Sequence, residues 1–134
     1  MNTKRYINRL FGAWKKCASP GEAYVHYDQH EDFLKFVARP VHHYAHWIDS
    51  EFAVYYSAEN ERDVIGCQIR GVSALVKSMF ENVAETISVG SILHRITEQY
   101  EANRNGELAE IGRQLETLAR ETNASIDKAA LQTS

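Results

Sequence analysis

Between residues 22 and 70 the chain alternates apolar and polar residues in short runs separated by polar turns, and this stretch limits the choice of fold more than any other. Ala23, Val25 and Tyr27 alternate with Tyr24 and His26, the period-2 pattern of a half-buried strand. Asp28-Gln29-His30-Glu31-Asp32 reads as a turn, and Phe33 to Ala38 as the return strand. Arg39-Pro40 interrupts, because proline has no donor to give a central strand. Val41 to Trp47, Phe52 to Tyr56 and Val64 to Arg70 follow as three further strands, joined at Asp49-Ser50 and across Glu59 to Asp63. Because every connection is short, the expectation is a five-stranded antiparallel meander in which sequence neighbours pair.

Helical periodicity flanks the strands. Over residues 3–18, Tyr6, Ile7, Leu10, Phe11, Trp14 and Ala18 recur at steps of three and four, which predicts a helix capped by Thr3 and stopped by Ser19-Pro20-Gly21. Its opposite face carries Lys4, Arg5, Arg9, Lys15 and Lys16 without an acid, although the chain as a whole carries −3. Val72, Leu75, Val76, Met79, Phe80, Val83 and Ile87 make a second stripe. Its phase jumps near Ser88-Val89-Gly90, which predicts a break with Ser88 capping a new helix. Val89, Ile92, Leu93, Ile96 and Tyr100 continue it, and Asn103-Arg104-Asn105-Gly106 turns the chain, with Gly106 expected to be left-handed. Leu108, Ile111, Leu115 and Leu118 then form a narrow seam like that of a coiled coil, flanked by Arg113, Glu116, Arg120 and Glu121.

The fold class read from these patterns is α+β: an N-terminal helix, the meander, then two or three helices ending in a helical hairpin. At 134 residues the chain is one domain. Its parts are a basic amphipathic helix (1–18), a sheet with a packing helix (22–87), a hairpin (88–122) and a frayed tail (123–134). One sheet face accommodates only one or two helices. The hairpin is therefore expected to project or to meet a second copy, and a homodimer through Leu108, Ile111, Leu115 and Leu118 is the preferred reading.

Two cysteines, Cys17 and Cys67, are too few and too distant for a disulfide framework or a zinc ribbon. No apolar run reaches the roughly 20 residues that span a bilayer, and Asn8, Arg9, Gly12, Lys15 and Lys16 break up the apolar segment a secretion signal would need. Reduced thiols and a cytoplasmic location are expected.

Five of the six histidines fall between residues 26 and 46. Even on one strand face, His42 and His46 stand roughly 13 Å apart at about 3.3 Å per residue, too far to share a metal ion. The chain also lacks H-E-x-x-H spacing and paired cysteines, so no metal or cofactor is expected. Asp28, Glu31 and Asp32 are expected to bind their own turn rather than to act as an acid–base pair. There is no G-x-S-x-G elbow, and Gly66 to Gly71 lacks the Lys-Ser/Thr of a phosphate-binding loop. Cys17 at a helix C-terminus is a poor nucleophile, and Cys67 reads as a small buried residue. No catalytic residue is assigned.

The better lead is a polar–aromatic sheet surface formed by His26, His42, Tyr44, His46 and Tyr55, which suits a protein partner or a flat ligand. The first function hypothesis is a non-enzymatic protein-interaction or regulatory module acting as a homodimer. Two alternatives stand beside it. One is a nucleic-acid binder using Lys4, Arg5, Arg9, Lys15 and Lys16; the other is a small-molecule or metal-dependent enzyme at the histidine- and tyrosine-rich face.

Tyr27-Asp28, three residues, then Asp32-Phe33-Leu34-Lys35-Phe36 resembles the opening motif of the small bacterial YuzE-like domain of unknown function. Trp47-Ile48-Asp49-Ser50, Val54-Tyr55-Tyr56 and Val64-Ile65-Gly66-Cys67-Gln68-Ile69 are similar to its later turn and strands, so the resemblance spans about residues 24–74. It implies a small antiparallel sheet followed by a helix, a gene neighbourhood of toxin–antitoxin type and an antitoxin-like role. It implies no catalytic residues, and the helices after Ile87 lie outside it.

Overall fold

A computed structural model of the protein describes residues 14–16, 23–79 and 85–131, the first of these segments as backbone only. Within them one antiparallel sheet packs beneath three helices, an α+β arrangement. The strands are β1 (Trp14–Lys16), β2 (Tyr24–Asp28), β3 (Phe33–Val37), β4 (His43–Trp47), β5 (Phe52–Ser57) and β6 (Val64–Arg70). The helices are α1 (Val72–Met79), α2 (Val89–Ala102) and α3 (Gly106–Glu121). Two short strands, β7 (Thr86–Ser88) and β8 (Ser125–Asp127), pair with each other.

The strands lie where the period-2 pattern puts them, but the order across the sheet is β1-β2-β3-β6-β5-β4 rather than a meander. Two local units account for this. Asp28 closes the β2–β3 hairpin by accepting from the backbone N–H groups of His30 and Glu31 at 2.9 and 3.2 Å. Asp49 closes β4–β5 in the same way, accepting from Glu51 and Phe52 at 2.8 and 2.9 Å. Ser57 and Asn60 then hold the turn into β6. The units join through β3 and β6, which set the buried Leu34 against Ile69 and Phe36 against Cys67 on the helix face. The more polar β4, His-Tyr-Ala-His-Trp, is left on the edge.

Gly66 is required at this join. A Cβ there would sit 2.1 Å from the Phe36 carbonyl oxygen, where the β5–β6 register slips at Tyr55/Tyr56.

The helix expected over 3–18 is contradicted where it can be compared, because Trp14–Lys16 is extended and hydrogen-bonded to β2. Three residues are too few to hold a helical period, and β2 offers an open edge to pair with. Lys15 and Lys16 thus lie on β1, whereas Lys4, Arg5 and Arg9 fall outside the described residues.

Asp32 fastens the hairpin to α1. It adopts a left-handed conformation (φ 55°) that aspartate tolerates. Its carboxylate accepts from the Tyr27 hydroxyl, the Ser73 N–H (3.1 Å) and the Ser73 hydroxyl (2.8 Å), capping the first turn of the helix. The stripe expected to run from Val72 to Ile87 is divided: Val72 and Val76 are buried on α1, and Ile87 is buried on β7. The phase jump marks this strand, and α2 begins at Val89 directly after Ser88.

The α2–α3 hairpin does not project. Both helices lie on the sheet face made by Val25, Leu34, Phe36, Val54, Cys67 and Ile69, and share one core with it. Leu115 is fully buried in that core, with Ile111 and Leu118 half-buried against it and Leu108 half-exposed, so the expected dimer seam faces inward. Gly112 permits the close crossing: a Cβ there would lie 2.3 Å from the Thr97 Oγ1 of α2. The flanking charges are used within the hairpin. His94 reaches Glu116 at 3.1 Å, Arg120 donates to Glu116 at 2.9 Å, and Arg113 pairs with Glu110 at 3.1 Å. The left-handed turn residue is Arg104 (φ 57°), not Gly106; Asn105 caps α3 by accepting from Leu108 N–H at 3.2 Å. The tail expected to fray instead returns as β8, with Ala124, Ile126 and Leu131 buried beneath the helices.

Candidate functional site

The five residues grouped by sequence pattern separate onto two faces and two ends of the sheet. From β2 to β4 the sheet takes four steps, about 19 Å at roughly 4.8 Å each. His26 on β2 therefore cannot meet His46 on β4. The face opposite the helices carries His26 and Tyr55, both buried. His26 sits directly across from Lys35 and packs its ring edge-on against Phe33 at 6.0 Å.

Lys35 was missed by sequence reasoning, although its signal was visible as a lone cation inside Phe33-Leu34-Lys35-Phe36. Its ammonium lies 6.0 Å from the Tyr24 ring centroid and 5.7 Å from that of Tyr55, a paired cation–π arrangement. Burial lowers the pKa of the amine. Burial also pushes the Tyr24 hydroxyl up to about 12. Tyr55 is raised by burial first, then by Cys67 and Tyr24, and its hydroxyl donates to Gln68 Oε1 at 2.8 Å. Tyr24, Val37, Tyr55 and Ile65 form a small second core on this face.

On β4 the side chains alternate between the two faces. Tyr44 and His46 lie on the helix face, opposite Tyr56 and Val54 of β5. Tyr44 and Tyr56 stack at 5.9 Å and 29°, and His46 meets Tyr56 edge-on at 6.5 Å. His43 and Trp47 take the other face: His43 packs on Tyr55 at 4.9 Å, and Arg70 covers the Trp47 ring at 4.8 Å. His42 is an exposed loop residue whose carbonyl accepts from Ala58 N–H at 2.8 Å.

The exposed large hydrophobic residues among the described ones are Val41 (37%), Tyr44 (42%) and Trp47 (41%), and all three fall on or beside this one strand. On its outer side β4 has no neighbour among the described strands. Edge strands are commonly blunted by lysine, proline or an inward charge, and His43–Trp47 contains none of these.

Below the Tyr44–Tyr56 stack a cleft of about 650 Å³ opens between the sheet and α3. Its floor is Val64 and Ile111, and its rim includes Glu61, Glu107 and Glu110. Tyr56 is shifted upward by burial, then by Tyr44 and Glu107.

The carboxylates of the first turn act structurally, Asp28 on its own turn and Asp32 on α1. Among the described residues no three His, Cys, Asp or Glu side chains converge as a metal site would require. Cys67 is a fully buried thiol whose pKa burial drives up, the reverse of an activated nucleophile. Among the described residues no helix is long and apolar enough to cross a membrane.

No family model, curated protein or solved structure matches the chain.

Proposed function

We propose that the protein is a non-enzymatic interaction module that works as a homodimer, and that the contact is the outer edge of β4 rather than the α3 seam. The observation that carries this reading is the placement of Val41, Tyr44 and Trp47, the exposed large hydrophobic groups among the described residues, on or beside a strand whose outer side has no neighbour among the described strands. A second strand added there would satisfy the free backbone groups and cover those side chains in one step.

The occupant proposed is a second copy, because the strand is complementary to itself. Antiparallel pairing about Ala45 places Ala45 against Ala45 on the two-fold axis. Tyr44 then faces His46 of the second copy, and His43 faces Trp47 of the second copy. The small alanines leave room at the axis, and the strand carries no lysine, arginine, aspartate or glutamate to oppose its own image. An antitoxin-like or other regulatory role is the finer form of this proposal, supported by the sequence resemblance over residues 24–74.

Light scattering after size exclusion tests it across a range of protein concentrations. The expected mass is twice 15.3 kDa at high concentration. Ala45→Lys, which sets two ammonium groups against each other at the axis, should yield a folded monomer. A wild-type monomer at every concentration refutes the reading, as does an Ala45→Lys protein that remains dimeric.

A further inference from the structure

We propose that the cleft beneath the Tyr44–Tyr56 stack is a binding site for an organic cation, an alkylated ammonium or a guanidinium group. Its volume, about 650 Å³, lies within the range of small-molecule sites. Its wall consists of two tyrosine rings held nearly parallel at 5.9 Å with His46 set edge-on to the second. Those ring faces carry negative quadrupole density, which attracts a cation and does nothing comparable for a neutral ligand.

The rim supplies the counter-charge. Glu61 on the β5–β6 loop and Glu107 in the first turn of α3 both line the cleft. Glu110 adds a third carboxylate, itself held by Arg113 at 3.1 Å. Arg62 is the one lysine or arginine lining the cleft among the described residues. The apolar floor, Val64 and Ile111, disfavours a bare metal ion or a compact ammonium, both of which keep their water. A diffuse cation sheds water at lower cost, rests its apolar surface on the tyrosines and directs its charge to the carboxylates. The cleft is lined by one chain and does not require the homodimer, although Tyr44 and His46 also border the proposed β4 contact.

Calorimetric titration of the full-length protein with choline tests it, with 3,3-dimethylbutan-1-ol as the uncharged analogue of the same shape and agmatine as the guanidinium probe. One of the two cations should bind at least about tenfold more tightly than the neutral alcohol. Glu107→Gln should weaken that binding several-fold, and Tyr56→Leu should abolish it while the circular dichroism spectrum stays native. If Tyr56→Leu does not fold, Tyr44→Leu, on the exposed edge strand, serves in its place and should weaken binding at least fivefold. The monomeric Ala45→Lys protein should bind like the wild type. Equal binding of the alcohol overturns the proposal, as does no heat from either cation up to roughly 20 mM. Cation binding unchanged by Glu107→Gln and by the tyrosine variant places the ligand elsewhere and overturns it equally.

Discussion

Replacing Asp32 should cost far more stability than an ordinary turn residue would, and the structure indicates how much. Its carboxylate accepts from the Tyr27 hydroxyl and from both the N–H and the hydroxyl of Ser73, so one group ties the β2–β3 turn to the start of α1. In Asp32→Ala the loss of a helix cap contributes about 1 kcal/mol. Forfeiting the charged acceptor for the buried Tyr27 hydroxyl adds about 1.5 kcal/mol, the lower end for such bonds, because Ser73 Oγ at 3.2 Å remains as an alternative partner. Alanine held at a φ of 55° adds about 1 kcal/mol more. The expected loss is roughly 3 to 4 kcal/mol, a drop in Tm of about 10 °C for a domain of this size. Asp32→Asn keeps a left-handed-tolerant residue and one acceptor oxygen, and three of the four contacts converge on Oδ1. It should lose only about 1 kcal/mol. Urea unfolding followed by circular dichroism measures both. Losses below about 1 kcal/mol for Asp32→Ala, or equal losses for the two variants, would show that the carboxylate does not hold the hairpin to the helix.

Three further outcomes are expected. Gly66→Ala forces a methyl group into the Phe36 carbonyl at the β3–β6 join and should cost more than about 3 kcal/mol or prevent folding; a urea midpoint near wild type contradicts this. Tyr24, Tyr55 and Cys67 all have their pKa values raised by burial, so each keeps its proton in the folded state after the unfolded chain has lost it. Stability should therefore be complete below about pH 8 and fall above about pH 9, by about 1.4 kcal/mol per pH unit for each group titrating; urea midpoints that stay level from pH 8 to 11 contradict it. In a Cys17→Ser background Cys67 should react with a thiol reagent only on unfolding, and rapid native labelling would show the β6 core to be open.

The period-2 runs made the strands of residues 23–70 legible, because alternation depends only on local geometry and on which face is buried. The strand order was not legible by the same rule. Short connections suggested a meander, yet the five-residue link over residues 38–42 carries the chain across the sheet because β3 is already hydrogen-bonded to β6, a pairing that Ala38 N–H to Ile65 O at 2.7 Å extends. The clue lay in composition: β4, His-Tyr-Ala-His-Trp, carries no valine, isoleucine or leucine and belongs on an edge. Strand order and register also displaced the functional surface: His26 falls on the face of Lys35, Gln68, Ala53 and Trp47, four strands from His46 and on the opposite side of the sheet. Leu108, Ile111, Leu115 and Leu118 read as a seam between chains because a narrow stripe looks alike whether it meets a second copy or its own sheet. Gly112, set against Thr97, was the residue that distinguished the two, since it allows α3 to lie close to α2 within one chain. Residues 86–88 and 125–127 were hidden for another reason: a three-residue strand is too short to establish a period.

The claim on which the functional account rests is that β4 is an edge built to receive its own copy. Hydrogen–deuterium exchange of the amides of residues 43–47 tests it most directly, measured at low and at high protein concentration. The account predicts that the outward-facing amides of this strand gain protection as concentration rises, and that Ala45→Lys abolishes the gain. Exchange at β4 that is independent of concentration, with new protection appearing along α3 instead, would contradict it.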